Sequence, residues 1–375
     1  MRIIYGVSGE GSGHSSRAKE MLAHLTAAGH EPLVVSYHRG YETLHKRFPC
    51  RRIEGLRIVS VDNKVSVPRT LWYNLRRLPR YLRSMDSLQR VFDDFRPDLV
   101  ITDFEPMCAR LAHRRGLPLI SLDNQHRMRF MDYESPAHLR WSRWMTETVI
   151  RLVVPHPDVV LATTFMQGPV RNDHTFLFPP ILRSELSALQ PAEGDYHLVY
   201  LTSAYDSLLA ALREMRTERF LVYGYNRNEV CGNLRFCEFS TQGFLRDLAG
   251  CRSVMATAGY TLMSEAMFLQ KPYLAFPMHG QFEQQLNAFC LETLGYGMNA
   301  GRADEDTLRR FLCLLPRYRE ALGHYADGYS NNPDAPRNEQ ICARLDALLA
   351  DNAALLRKFQ QSSRSGPEAR ASHIR

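Results

Sequence analysis

The fold is decided by residues 253–294, SVMATAGYTLMSEAMFLQKPYLAFPMHGQFEQQLNAFCLETL. Two short apolar runs, Ser253–Thr257 and Tyr273–Phe276, alternate with two longer stretches, Leu262–Leu269 and Phe282–Leu294, whose pattern favours helices. Short apolar strands that alternate with helices are typical of a parallel sheet covered by helices on both faces. We therefore predict an α/β fold.

The same alternation runs along the rest of the chain and predicts two consecutive α/β units of similar size. The other predicted strands are 2–7, Glu31–Tyr37, Asp98–Thr102, Pro118–Leu122, Asp158–Thr164, His197–Leu201 and Phe220–Tyr223. Two such units predict two doubly wound domains that face each other across a cleft.

Proline content and polarity set the expected boundaries of these units. Residues 1–180 form the first domain and residues 181–195 a linker, because the stretch 178–195 contains three prolines and a glycine. The second domain covers residues 196–335, and residues 336–360 form a terminal helix. Residues 361–375 are polar and rich in Ser and Arg, so we expect a disordered tail.

The composition excludes several classes of protein. The chain has 375 residues, 45% of them apolar, which excludes a disordered chain or a small disulfide-stapled scaffold. No apolar run reaches the roughly 18 residues that a membrane-spanning helix needs. Its eight cysteines include no C-x-x-C pair, so neither a zinc site nor a disulfide framework is predicted. A reducing cytoplasm is the expected location.

Positive charge is concentrated in the first half of the sequence. Residues 1–180 carry 26 Lys and Arg against 18 Asp and Glu, whereas residues 181–375 carry 21 against 22. This asymmetry indicates that an anionic partner or surface faces the N-terminal domain.

A glycine-rich loop follows the first predicted strand. Its sequence, GVSGEGSGH over residues 6–14, places Gly9, Gly11 and Gly13 directly before His14. Glycines let the backbone approach a ligand closely, and His14 is a candidate general base beside a helix N-terminus. The pattern alone fits a tight structural turn equally well.

Two further motifs follow neighbouring strands of the first domain. Asp103 ends one strand, where it could either cap the next helix or orient a histidine and stabilise its charged form. The tract Asp123–His126 follows the next strand, and His126 is the rival candidate for the base.

The most specific pattern lies in the second domain. A strand ends in Thr257-Ala258-Gly259, and a helix then begins, so free N–H groups are available for a diphosphate. Glu265 could accept hydrogen bonds from a ribose diol, and Glu283 with Gln284 could hold sugar hydroxyls. Either acid could instead complement a helix dipole.

Residues 244–294 resemble the donor-nucleotide signature of GT-B glycosyltransferases. The resemblance is closest to family 28 (the lipid-intermediate N-acetylglucosaminyltransferase of peptidoglycan synthesis) and to a group of archaeal and bacterial glycosyltransferase-like proteins. The loop at residues 6–14, the ITDFEP at 101–106 and the LDNQH at 122–126 are similar to the latter group. The resemblance covers about residues 2–300 and implies two Rossmann-like domains, with the acceptor on the N-terminal side and the nucleotide sugar on the other.

The resemblance also implies a role for individual residues. It makes His14 the base and Asp103 its orienting acid, with Gly9, Gly11, Gly13 and His126 in the acceptor loop. The donor-binding residues that it implies are Thr202 and Ser203 (second phosphate loop), Phe239 and Ser240 (base), Thr257, Gly259 and Tyr260 (phosphate turn), Glu265 (ribose), and Glu283 and Gln284 (sugar).

The implied activity is an inverting, metal-independent transfer of a hexose from a nucleotide-diphosphate sugar, UDP-linked, to an acceptor hydroxyl. It needs neither a cofactor nor a bound metal, and the acceptor includes lipid-linked and cell-envelope glycans. Two alternatives remain open: a UDP-sugar 2-epimerase of the same fold, which consumes donor without acceptor, and a nucleotide-sugar-binding protein without catalysis.

Two basic and aromatic segments bear on the acceptor. Residues 66–91 contain six Arg and one acid interleaved with Trp72 and Tyr73, and residues 140–155 repeat the mixture with Trp141 and Trp144. Such helices either lie on an anionic membrane, at its inner face, or pack on the sheet with a solvated basic side. No nucleic-acid recognition motif is present, so we expect no nucleic-acid partner.

Overall fold

The chain folds into two lobes with a cleft between them. The structure, a computed structural model, describes residues 1–57, 60–61, 64–65, 67–201, 205–325 and 337–351. Within these residues each lobe is built on a seven-stranded sheet, which confirms the predicted α/β class and the two doubly wound units. No helix among them is both long enough and apolar enough to cross a membrane.

The N-terminal lobe alternates strands and helices from its first residues. Its strands are β1 (Arg2–Val7), β2 (Glu31–Ser36), β3 (Cys50–Arg52), β4 (Ser60–Val61), β5 (Lys64–Val65), β6 (Leu99–Asp103), β7 (Leu119–Asp123), β8 (Val159–Thr163) and β9 (Thr175–Phe178). Its α-helices are α1 (Gly13–Ala27), α2 (His38–Leu44), α3 (Val67–Phe95), α4 (Pro106–Arg115), α5 (Arg127–Phe130) and α6 (Arg140–Val153).

The strand order of the N-terminal sheet places its ligand-binding edge. The order is β3-β2-β1-β6-β7-β8-β9, and all neighbouring pairs are parallel. Chain direction across the sheet reverses between β1 and β6, and a crevice opens at such a switch point outside the carboxyl ends of the strands. The glycine-rich loop after β1 and Asp103 at the end of β6 therefore meet there.

The C-terminal lobe repeats this plan. Its strands are β10 (His197–Tyr200), β11 (Phe220–Tyr223), β12 (Glu229–Cys231), β13 (Leu234–Cys237), β14 (Val254–Ala256), β15 (Tyr273–Ala275) and β16 (Gly297–Asn299). Its helices are α7 (Asp206–Glu214), α8 (Thr241–Gly250), α9 (Tyr260–Phe268), α10 (Phe282–Thr293), α11 (Glu305–Cys313) and α12 (Leu315–Gly323). The order is β12-β13-β11-β10-β14-β15-β16, with only β12 antiparallel to its neighbour, so the switch point lies between β10 and β14.

The last described helix, α13 (Arg337–Ala350), returns to the N-terminal lobe. Its apolar residues Ile341, Leu345 and Leu349 are buried in the core that contains β1 and α1. Asn338 adds two hydrogen bonds to the backbone of Leu182, at 3.0 and 2.7 Å. The predicted terminal helix is therefore present at residues 337–350, whereas residues 352–375, including the predicted tail, lie outside the described residues.

The segment predicted as a linker joins the lobes without forming a long helix or a strand. Between β9 and β10 it forms one short 3₁₀ turn, Ser184–Leu186. The lobes also touch directly, because the fully buried Arg127 donates to Asn287 Oδ1 at 2.5 Å and lies over the rings of Phe165 and Tyr260. This contact fixes the floor of the cleft.

Candidate active site

His14 and Asp103 form a hydrogen-bonded pair at the switch point of the N-terminal sheet. His14 lies in the first turn of α1, and its Nδ1 is 2.7 Å from Oδ1 of Asp103. Asp103 is fully buried, whereas the side chain of His14 keeps 11% of its surface exposed. A carboxylate only accepts hydrogen bonds, so Nδ1 carries the hydrogen of this bond, and in a neutral ring the lone pair is then on Nε2. This is the arrangement of a base with its orienting acid.

The local turn explains why Asp103 is free for this pairing. Glu105, not Asp103, caps α4: its carboxylate accepts the backbone N–H groups of Met107 and Cys108 at 3.0 and 2.7 Å. Phe104 adopts a positive φ of 56°, which is costly for a bulky side chain and reverses the chain immediately after β6. The capping role considered for Asp103 thus belongs to Glu105.

Arg17, which the sequence analysis did not single out, completes the pair. Its Nε and one terminal nitrogen donate to the two oxygens of Asp103 at 2.9 and 2.7 Å. The same terminal nitrogen is 3.3 Å from His14 Nδ1, but both atoms carry hydrogen, so the shorter bonds to Asp103 prevail. Although burial alone would lower the pKa of Arg17, Asp103 raises it above its usual value, so the guanidinium stays charged.

His14 lines a cavity of about 310 Å³ between the lobes. Eight of the residues that the sequence predicts for the site line it: Gly11, Gly13, His14, Thr257, Gly259, Tyr260, Glu283 and Gln284. The other lining residues are Glu10, Ser12, Arg17, Arg39, Asn124 and Gln125 from the N-terminal lobe, and Tyr200, Thr261, Leu262 and Gln281 from the C-terminal lobe. The predicted base and the predicted phosphate and sugar residues therefore share one space.

Glu283 reaches across this cavity to the other lobe. Its two carboxylate oxygens accept the side-chain amides of Asn124 at 2.7 Å and Gln125 at 3.3 Å. Arg17 donates to the oxygen of the same Asn124 amide at 3.1 Å. Polar contacts thus continue from His14 through Arg17 to the acid predicted to bind the donor sugar.

Glu265, predicted to bind the ribose, is not among the residues that line the cavity shared by His14 and the start of α9. It is 1% exposed, and both its oxygens are taken by Arg183, at 2.6 and 2.8 Å. Burial raises the pKa of Glu265, and Arg183 opposes this shift. A carboxylate has about four acceptor positions, and Arg183 uses two of them.

Arg183 borders a second cavity, of about 600 Å³, that adjoins the first through Ser12, Arg39 and Thr261. Phe239, predicted near the nucleotide base, lines it and is 45% exposed. Ser240 next to it caps α8, because its hydroxyl oxygen accepts the backbone N–H of Gly243 at 3.2 Å.

The remaining donor residues take different positions. Gly259 is the N-cap of α9, where no side chain caps the free N–H groups, and Thr257 lies at the cavity wall. The ring of Tyr260 instead packs on Phe165 at 5.4 Å, so its side chain serves the contact between the lobes. The amide of Gln284 accepts Met278 N–H at 3.0 Å. Thr202 and Ser203 lie outside the described residues.

Two predictions for the acceptor loop need correction. His126 is fully buried and does not line the cavity. Its Nδ1 is 2.7 Å from Oδ2 of Asp123, which is also fully buried. Burial raises the pKa of Asp123, but the stronger combined effect of His126 and Ser121 holds it well below its usual range. A side chain at Gly9 would meet the backbone of Tyr37, so Gly9 is required by packing. His14 therefore has the better position for a base.

Gly11 and Gly13 fit the close approach that the loop predicts. Gly11 has a φ of +80° and lines the cavity, and a side chain at Gly13 would collide with Thr261 of the other lobe. Within the described part of the chain, no group of three or more His, Cys, Asp and Glu side chains is placed to hold a metal ion.

Solved structures show the class of protein that this fold defines. Spinosyn forosaminyltransferase SpnP is 18% identical to this chain, with a TM-score of 0.66, and the match covers 93% of this chain and 99% of SpnP. Spinosyn rhamnosyltransferase SpnG, solved with thymidine diphosphate, is 15% identical, with a TM-score of 0.60 over 87% and 95% of the two chains. These likenesses show the GT-B fold of glycosyltransferases.

The chain belongs to the family described as Glycosyl transferase family 1, which matches residues 1–316. A curated relative from Methanosarcina acetivorans, an uncharacterised glycosyltransferase, is 23% identical over 327 residues, 79% of this chain and 85% of the relative. The protein is thus a GT-B glycosyltransferase. The closer likeness to family 28 is not confirmed.

Proposed function

We propose that this protein is an inverting, metal-independent glycosyltransferase that moves a hexose from a nucleotide-diphosphate sugar, UDP-linked, to an acceptor hydroxyl. The observation that carries the proposal is the 2.7 Å contact of His14 with the buried Asp103 at a cavity whose opposite wall contains the start of α9. A base and a diphosphate site on opposite walls leave room for a sugar between them.

In the proposed reaction, Nε2 of His14 takes the proton of the acceptor hydroxyl while Asp103 stabilises the imidazolium. The acceptor oxygen attacks the anomeric carbon as the bond from that carbon to the diphosphate oxygen breaks. The nucleoside diphosphate leaves with the electron pair, and attack from the opposite side inverts the anomeric configuration.

The C-terminal lobe supports the donor half of this proposal. The N–H groups at the start of α9 have no capping side chain, so they can stabilise the charge that develops on the leaving diphosphate. This helix supplies the stabilisation that the metal-independent reaction requires. The structural neighbour SpnG was solved with thymidine diphosphate, so dTDP is the first competitor to UDP for the donor nucleotide.

A thermal-shift screen against UDP, GDP, dTDP and their sugars tests the donor assignment, since a ligand that binds only the native state raises its melting temperature. We expect UDP and UDP-sugars to give the largest shifts. Proton NMR of the product then reports the anomeric configuration, and activity should persist in EDTA. Retention of configuration or dependence on a divalent cation would contradict the proposed mechanism.

Incubation with donor alone separates transfer from the two alternatives. A transferase leaves the sugar configuration at C2 unchanged, whereas a 2-epimerase converts the donor without an acceptor. Binding of donor with no turnover for any acceptor tested would favour a nucleotide-sugar-binding protein.

For the acceptor, we propose a lipid-linked or cell-envelope glycan that the protein meets at the cytoplasmic face of a membrane. Two helices of the N-terminal lobe expose large apolar side chains that form what we term the tryptophan–arginine surface: Trp72, Leu75, Leu78 and Leu82 on α3, and Trp141, Trp144, Met145, Val149 and Leu152 on α6. Arg110 connects the two helices, with hydrogen bonds to Tyr81 and to the backbone of Leu152.

The charges around this surface favour an anionic bilayer as its occupant. Exposed arginines flank the apolar side chains on both helices: Arg76, Arg80, Arg83 and Arg90 on α3, and Arg140 and Arg151 on α6. A helix that lies in the plane of a membrane inserts its apolar side chains at the lipid boundary, while flanking arginines contact the anionic headgroups.

Vesicle sedimentation tests this surface without any substrate. We expect binding to vesicles of phosphatidylcholine with 30% phosphatidylglycerol, little binding to phosphatidylcholine alone, and a loss of about tenfold or more in Trp141→Ser/Trp144→Ser. Val230→Ser, equally exposed on the other lobe, is the matched control and should bind as the wild type does. Equal binding by the tryptophan variant would contradict the membrane contact and leave the donor proposal untouched.

A further inference from the structure

Arg17 occupies a central position among the buried polar groups of the cleft. Its side chain is 5% exposed and uses three nitrogens: two for Asp103 and one for the Asn124 amide oxygen. Burial of a charged guanidinium is costly, because the charge loses its hydration. Its buried position indicates that the bonds to Asp103 and Asn124 outweigh that cost.

We propose that Arg17 is a positioning residue that sets both walls of the reaction cavity, an inference that rests on the proposed function of His14 and Glu283. On one side it neutralises Asp103 and keeps it turned toward His14. On the other it holds the Asn124 amide so that its nitrogen faces Glu283.

The first role follows from the burial of Asp103. A fully buried carboxylate with only a histidine partner would draw a proton onto the pair, because an uncompensated charge in the interior is costly. The imidazolium so formed would have no lone pair for an acceptor hydroxyl. Arg17 supplies the compensating charge instead, and it lies close enough to Nδ1, at 3.3 Å, to oppose a second positive charge on the ring.

Other charged groups line the same cavity, and neither Arg39 nor Glu283 contacts Asp103 in the described structure. Those that share the cavity are Glu10 from the loop before α1, Arg39 after β2 and Glu283 at the start of α10. Asp123, at the end of β7, is turned toward His126. Arg39 therefore offers a matched control, since it places a positive charge in the same cavity without touching Asp103.

The second role follows from the fixed shape of the guanidinium. Its fork spans Asp103 and Asn124 at once, which the single ammonium of a lysine cannot do. A lysine at position 17 therefore keeps the charge but loses the geometry, so the two roles can be separated by substitution.

Histidine NMR tests the first role without any substrate. In protein labelled at histidine Cε1, the His14 signal is identified by its loss in His14→Gln, and its titration is compared in wild type, Arg17→Met, Arg17→Gln and Arg17→Lys. We expect the midpoint to rise by about one pH unit or more in the Met and Gln variants, equivalent to about 1.4 kcal/mol. Arg17→Lys and the control Arg39→Met should shift it much less.

Arg17→Gln can still donate a hydrogen bond to Asp103, so it keeps the test available if Arg17→Met does not fold. An unmoved midpoint in a folded neutral variant, or an equal rise in Arg39→Met, would overturn the first role.

The second role is measured with UDP and with the donor sugar that the screen identifies. Arg17→Lys should bind UDP within about twofold of wild type but turn over roughly tenfold or more slowly, because Asn124 loses its anchor. Wild-type turnover in Arg17→Lys would overturn this role. If the NMR shift occurs but no nucleotide binds, the proposed function fails and the positioning of His14 by Arg17 stands.

Discussion

The two walls of the cleft differ in how ready they are for a substrate. On the N-terminal wall, His14, Asp103 and Arg17 bond to each other in the geometry that the chemistry requires. In the C-terminal lobe, the acids predicted to bind the donor are occupied by protein partners: Glu283, on the cavity wall, by two amides of the N-terminal lobe, and the buried Glu265 by Arg183.

This difference indicates that the proposed base is preorganised, whereas the proposed donor site is not. A base that is already oriented by its neighbours does not use the binding energy of the acceptor for that orientation. Under the proposed function, in contrast, the donor exchanges these protein contacts for its own, so only a ligand with suitably placed hydroxyls recovers the free energy of the lost contacts. We infer that selectivity for the donor arises in this exchange.

The largest expected effect is a loss of stability on substitution of Asp103 in the N-terminal wall. Asp103→Ala leaves the buried Arg17 charge without its partner, and removal of one member of a buried pair costs about 3–5 kcal/mol in the free energy of unfolding. Urea unfolding measures this loss. Asp103→Ala/Arg17→Met removes both charges and should lose distinctly less; a larger loss in the double variant would contradict a compensated pair.

A somewhat smaller effect is expected at the C-terminal wall. Arg183→Met leaves Glu265 buried without its cation, and we expect a loss of about 3 kcal/mol in the free energy of unfolding. Lys19→Met is the matched control, because its ion pair with Glu185 is much more exposed and should contribute below about 1 kcal/mol. Equal losses in the two variants would show that the Arg183 pair is no stronger than a surface contact.

The pH dependence of stability should have opposite signs for one buried acid of each lobe. The raised pKa of Glu265 means that its contribution is fully present below the unfolded value of 4.5 and is lost as pH rises through the folded pKa. The lowered pKa of Asp123 means that its contribution is present above the unfolded value of 3.8 and is lost as pH falls. Urea unfolding of Glu265→Gln and Asp123→Asn against wild type, from pH 3.5 to 7, measures both, and the same sign in both variants would contradict the contrast.

Much of the fold and one half of the site could be predicted from the sequence. The alternation of strands and helices determined both sheets, and the carboxyl ends of parallel strands brought His14 and Asp103 together. The packing of α13 on the N-terminal lobe could not be predicted, because the apolar pattern of this helix does not indicate which lobe it contacts.

The partners of the acids were also beyond the sequence. Arg183 is 82 residues away from Glu265, and no local pattern connects them. Arg17 did leave a signal, since it lies three residues after His14 and therefore on the same face of the helix. The prediction that His126 lies in the acceptor loop was wrong because Asp123, three residues earlier, binds its ring in the buried interior.

The most direct test of the account is a calorimetric titration of UDP into wild type, His14→Ala and Glu265→Gln, with turnover measured in parallel. If the N-terminal lobe supplies the base and the C-terminal lobe binds the nucleotide, His14→Ala should bind UDP as tightly as wild type but lose about 10²-fold or more in turnover. Glu265→Gln should weaken UDP binding by about tenfold or more, the value of a hydrogen bond to a charged group. Weakened UDP binding in His14→Ala, with wild-type binding in Glu265→Gln, would contradict the account.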